Sequence, residues 1–141
     1  MAGERVSEAE NSEVLTPVRD MRRFVRRFAL GETIFQEGEP GRCLYVVTHG
    51  AVEVRRAASP PDAPPLRRVE AGEAFGEIAL LEGGVRTASA IAAAEPTELA
   101  EIDKARFVYL VSQQPAFALT VMRSMARRLR ANDTAVPEGT A

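Results

Sequence analysis

Apolar residues change their spacing twice along this chain, and the changes divide it into three. Val18, Met21, Val25 and Phe28 recur three and four residues apart behind Thr16-Pro17, a capping residue followed by a residue suited to the first helical turn. A helix is therefore predicted from Thr16 to a stop before Gly31. From Gly31 to Ile102 the runs become short, rich in β-type residues and punctuated by glycine and proline. Strands are predicted at 32–36, 43–48, 51–55, 66–69, 87–93 and 97–102, with 43–48 and 51–55 read as a hairpin about His49-Gly50. The segment 57–65 holds Pro60, Pro61, Pro64 and Pro65, which have no N–H to give a ladder, and reads as a loop. The helical period then returns. Asp103 can cap a helix that buries Phe107, Leu110 and Val111, and Pro115 opens another with a stripe of Phe117, Val121, Met122, Met125 and Leu129.

Short strands followed by helices imply a mainly β fold, a compact barrel or jelly roll with helices at its end. The 141 residues fit one domain. Residues 1–15, acidic and small, read as a mobile lead-in, 16–133 as the folded domain and 134–141 as a loose tail.

Composition narrows the chemistry. A net charge of -2 lacks the positive excess that phosphate-backbone binding calls for, so bulk nucleic acid is not an expected partner. The arginine clusters at Arg22, Arg23, Arg26 and Arg27, and at Arg123, Arg127, Arg128 and Arg130, read as solvated helix faces. One cysteine, Cys43, forbids an internal disulfide, and neither it nor the one histidine, His49, supplies a ligand cluster, so no metal or other cofactor is expected. With no signal peptide and no membrane-length apolar run in the sequence, a cytoplasmic location without membrane contact is the expectation.

One stretch carries most of the chemistry: Phe75-Gly76-Glu77-Ile78-Ala79-Leu80-Leu81, then Glu82-Gly83-Gly84-Val85 and Arg86-Thr87-Ala88-Ser89. Gly76 through Ala79 can open a helix, where unpaired N–H groups favour an anion, and glycine lets the backbone approach closely. Arg86 can bind the same phosphate through charge-assisted bonds, and Thr87 through its hydroxyl. Glu77 would repel phosphate and is better used to accept from a sugar hydroxyl one ring away. Each residue alone reads as a surface turn, a solvated cation or a Glu77–Arg86 ion pair. Their joint order and spacing read as a cradle for one phosphate and one sugar, without the base or metal that hydrolysis needs.

These residues resemble the phosphate-binding cassette of cyclic-nucleotide-binding domains, the family found in catabolite activator proteins, cyclic-AMP-dependent kinase regulatory subunits and gated channels. The likeness spans about residues 24–132 and includes Gly31-Glu32-Thr33-Ile34-Phe35, Glu37-Gly38-Glu39, Leu44-Tyr45-Val46-Val47 and Gly50-Ala51-Val52-Glu53-Val54. It implies an eight-stranded β-roll with an N-terminal helix and two C-terminal helices. It further implies that Glu77 takes the ribose 2′-hydroxyl and Arg86 the cyclic phosphate, with Gly76, Ala79 and Ala88 giving backbone groups and Phe75 and Ile78 completing the site. Many members carry proline where this chain has Val85, a change that leaves the return segment less preorganised. The resemblance makes Thr87 a selectivity position and sets Asn132 and Asp133 where the base is capped. Cyclic AMP is the first expectation and cyclic GMP the second; the residues leave both bases open.

The expected function is a non-catalytic sensor whose C-terminal helices close over the base and pass the signal to an effector protein or a second copy of the chain. Direct DNA binding is not expected, because no DNA-reading helix-turn-helix follows the cassette region in this sequence. A metal-dependent enzyme on a similar roll would need a histidine and carboxylate cluster. A roll kept as an interaction module without nucleotide is the remaining alternative.

Overall fold

The computed structural model describes the backbone of residues 24–135 and the side chains of residues 24–130. Eight strands form two antiparallel four-stranded sheets. In chain order they are β1 (Val25–Phe28), β2 (Thr33–Phe35), β3 (Cys43–His49), β4 (Ala51–Arg55), β5 (Arg67–Glu70), β6 (Ala74–Phe75), β7 (Ser89–Ala92) and β8 (Thr97–Asp103). The first sheet runs β1-β8-β3-β6 and the second β2-β7-β4-β5. Helix α1 (Glu77–Glu82) interrupts the strands, and α2 (Lys104–Gln113) and α3 (Ala116–Ala135) follow them. This is the β-roll with C-terminal helices that the cassette resemblance implied. No helix among the described residues is long and apolar enough to cross a membrane.

The two faces of β3 explain its unbroken apolar run. Leu44 and Val46 point to a core shared with Ile102, Leu110, Phe117 and Val121, and so bind the first sheet to α2 and α3. Tyr45 and Val47 point the other way, into a core between the sheets with Phe35, Val52, Val69, Phe75 and Leu99. A strand covered on both sides cannot alternate with polar residues. Each large side chain buried here contributes about 1.5–3 kcal/mol relative to exposure.

Three expectations are corrected. Val25–Phe28, predicted as the end of a helix, is a strand paired with Thr97–Ala100; the part of that helix from Thr16 to residue 23 lies outside the described residues. Its partner strand supplies the reason. Phe28 turns into the inter-sheet core, while Arg26 and Arg27 pair with Glu101 at 3.6 Å and Glu98 at 3.3 Å, so these arginines are strand residues, not a helix face. Second, β3 and β4 do not pair with each other: β3 pairs with β6 and β8, β4 with β5 and β7. Gly50, at φ 88, instead turns the chain from one sheet to the other, and a Cβ there would meet Pro96 O and Thr97 Oγ1 at 2.7 Å. Third, Met122 and Leu129 are exposed, because the buried stripe of α3 is Phe117, Thr120, Val121 and Ser124. Polar residues occupy that stripe because the sheet uses them: Ser124 Oγ accepts from Ala74 N at 2.9 Å. Asp103 caps α2 as predicted, its carboxylate accepting from Arg106 N at 2.9 Å.

Candidate functional site

The segment 75–88 folds back on itself beside a cavity of about 460 Å³. Phe75 ends β6 inside the inter-sheet core. Gly76 then adopts φ 82 as the N-cap of α1, a left-handed conformation that glycine takes without strain, and a Cβ there would stand 2.9 Å from Arg86 Nη1. After α1, Gly83 and Gly84 turn the chain back with φ 77 and 95. Backbone bonds pin the return segment to the loop between β2 and β3: Arg86 N donates to Glu39 O at 2.7 Å, Gly38 N to Arg86 O at 2.8 Å and Gly41 N to Gly84 O at 3.0 Å. These bonds flank Val85, so neighbouring backbone holds the segment without a proline at that position.

All eight cassette residues expected at a site line this cavity: Phe75, Gly76, Glu77, Ile78, Ala79, Arg86, Thr87 and Ala88. Glu77 is 1% exposed, and neither carboxylate oxygen has a hydrogen-bond partner. Its ion-pair partner is Arg128, Nη2 to Oε2 at 3.5 Å. Arg86 is also buried, and it is not paired with Glu77. Its guanidinium lies over the Phe35 ring at 4.0 Å and donates from Nη1 to Gly76 O at 3.3 Å. Thus an acid and a base sit in one cavity with their polar atoms largely uncommitted to each other. Buried polar groups without partners are uncommon, and each calls for a physical reason.

Beneath Arg86, Cys43 Sγ donates toward Glu101 Oε2 at 3.4 Å, and Tyr45 Oη donates to the same oxygen at 3.3 Å. Burial pushes the Cys43 thiol and the Tyr45 phenol above their ordinary ranges.

Sequence reasoning missed Phe35, Val54, Arg56, Leu66, Arg67 and Arg128, which with Val85 complete the lining. Arg128 corrects the expectation of a wholly solvated arginine face on α3. Its signal lay in the helical period, since Arg128 continues the buried row of Val121 and Ser124. Arg67 stands two residues before buried Val69, so strand alternation aims it inward, where Nη2 donates to Ala74 O at 2.8 Å. Burial, with Arg128 and Arg127 nearby, lowers the proton affinity of Arg67, while Glu77 opposes that shift. Asn132 and Asp133 fall within the last turns of α3, outside the residues whose side chains are described.

Residues 25–114 match the profile of the cyclic nucleotide-binding domain. The chain is 36% identical over 108 residues to the cyclic AMP receptor protein of Thermus thermophilus, covering 77% of this chain and 50% of that protein. Among solved structures it is similar to the catabolite activator protein of Thermus thermophilus, with a TM-score of 0.67, 32% identity, and 86% of this chain and 57% of that one covered. It is also similar to a protein from work on a cyclic-GMP-dependent signalling pathway that regulates bacterial phytopathogenesis, with a TM-score of 0.64, 28% identity, and 82% and 93% covered. The chain spans about half the length of the curated relatives it matches.

Proposed function

Because the chain belongs to the cyclic nucleotide-binding domain family, we propose that it binds a cyclic mononucleotide in the 75–88 cavity and acts as a regulatory module without catalysis of its own. The observation that carries this reading is the buried, unpartnered Glu77 carboxylate sharing a cavity with the buried Arg86 cation. A cyclic nucleotide brings a hydroxyl for the first and a phosphate for the second, in one small rigid ligand. The volume suits it, since small-ligand pockets run from roughly 300 to 1,000 Å³.

Cyclic AMP is the first choice of ligand, in line with the cyclic-AMP-responsive relatives. Cyclic GMP is the second reading, favoured by a specific observation: Arg56, Arg67 and Thr87 all line the cavity. Guanine offers O6 and N7 as paired acceptors that suit an arginine fork, whereas adenine offers one acceptor and one donor on that edge. Parallel titrations with the two nucleotides separate the readings. Tighter cyclic GMP binding, reversed in Arg67→Ala or Thr87→Ala, would exchange their order.

Output is assigned to α3. Its Arg128 meets Glu77, its Ser124 caps Ala74 N, and its Arg127 pairs with Glu73, so three ties connect the helix to the cassette side of the roll. A sugar hydroxyl arriving at Glu77 changes the Arg128 tie, and with it the preferred position of the helix as a lid. Leu119, Met122, Ala126 and Leu129 are exposed on α3 at alternating spacings of three and four, the pattern of a helix seam. We assign this stripe to a second copy of the chain or an effector protein.

A further inference from the structure

Arg86 brings a cation into a site where it is only 6% exposed. No carboxylate is ion-paired with it among the described residues. Buried charges ordinarily have such a partner. Here aromatic rings take its place. The guanidinium carbon lies 4.0 Å from the Phe35 ring centroid and 5.8 Å from that of Tyr45. Phe35, Tyr45 and Phe75 in turn pack on one another with centroids 5.3 to 6.0 Å apart, so the shelf is part of the inter-sheet core.

The other contacts of the guanidinium are weak. Nη1 donates to Gly76 O at 3.3 Å, and Nη2 lies 3.8 Å from Cys43 Sγ. Gly41 packs on the guanidinium as well: a Cβ there would lie 2.5 Å from Arg86 Nε, 2.7 Å from its Cζ and 2.8 Å from Ala79 Cβ. Gly41 is not among the glycines with positive φ, so what the position requires is the space, not the backbone freedom.

On the nucleotide reading above, we propose that Phe35 and Gly41 are affinity-determining positioning residues, which hold the Arg86 guanidinium in its phosphate-accepting orientation without neutralising it. A carboxylate would fix the side chain equally well, but an incoming anion would have to displace it. A ring face attracts the cation from above its plane and leaves the in-plane N–H edge free to donate. The side chain is thereby ordered before the ligand arrives, and that part of the entropy of binding is already lost in the free protein.

The test combines titrations of wild type, Phe35→Tyr, Phe35→Leu and Gly41→Ala with both cyclic nucleotides and the proton chemical shift of the Arg86 Nε–H group in the ligand-free proteins, assigned through Arg86→Lys. The wild-type resonance is expected upfield of exposed arginines through the ring current of Phe35. Phe35→Tyr keeps that shift and the affinity. Phe35→Leu loses the shift and binds both nucleotides roughly three- to thirtyfold more weakly. Gly41→Ala does the same with Phe35 intact, by pushing Nε off the ring. Wild-type affinity in Phe35→Leu, or weakened binding with the Arg86 resonance unmoved, overturns the role of the shelf while leaving the nucleotide reading standing. A wild type that binds neither nucleotide overturns the nucleotide reading, and this role with it.

Discussion

Glu77 and Arg128 meet across the cavity with Oε2 and Nη2 3.5 Å apart, a long ion pair whose geometry leaves both Glu77 oxygens and Arg128 Nε buried without a hydrogen bond. An unsatisfied buried polar group costs about 1–3 kcal/mol. The free protein therefore holds part of its stability in reserve at the point where a sugar hydroxyl would enter. The same pair joins the cassette to α3, so occupancy and helix position share one contact.

Replacing Glu77 with glutamine removes the charged acceptor while keeping the shape. Affinity for either cyclic nucleotide is expected to fall about ten- to a hundredfold, the worth of one hydrogen bond to a charged group. The ligand-free melting temperature is not expected to fall, because Arg128, 28% exposed, can turn toward water. Calorimetric titration and a thermal melt of the same variant check both parts.

If α3 is the lid, ligand should slow its amide hydrogen exchange. The expected protection falls on the half of α3 that carries Ser124, Arg127 and Arg128, and it is reduced in Arg128→Ala. Exchange that is identical with and without nucleotide would remove the lid role.

Alkaline stability reports on the groups under Arg86. Burial raises both Tyr45 and Cys43, so the folded state keeps protons that the unfolded chain releases. Their contribution is complete below the unfolded values and is lost as pH climbs toward the folded ones. Melting temperature should therefore decline between about pH 9 and about pH 11, and the decline should be shallower in Tyr45→Phe.

Asp103 tests whether the strand-to-helix junction acts apart from the cavity. Its carboxylate caps α2 through Arg106 N, and Asp103→Ala is expected to lower stability by about 1 kcal/mol. Nucleotide affinity should be unchanged, as urea unfolding and titration of one preparation would reveal.

The sequence made β2 to β5, β7 and β8 legible because short β-type runs end at local glycine and proline signals, and the cassette legible because glycine, acid and arginine stand at fixed offsets; β6, two residues long at the mouth of the cassette, was not read as a strand. What it hid was decided by partners far along the chain. Val25 and Phe28 fit a helical period as well as a strand, and only pairing with β8 chooses between them. The turn at Gly50 looks like that of a hairpin until the ladders are assigned to different sheets. The second half of the site, with Arg56, Arg67 and Arg128, is scattered over the loop after β4, over β5 and over α3, so no motif announces it. Arg67 and Arg128 were nonetheless readable as cations at positions whose period points inward.

The most direct test of the central claim is isothermal titration of cyclic AMP and cyclic GMP into the wild-type chain and into Arg86→Ala. The account predicts saturable one-site binding of at least one nucleotide by wild type, weakened at least about a hundredfold in Arg86→Ala, where a buried charge-assisted phosphate contact is lost. No heat from either nucleotide with folded wild type, or equal affinity in the two proteins, would contradict it.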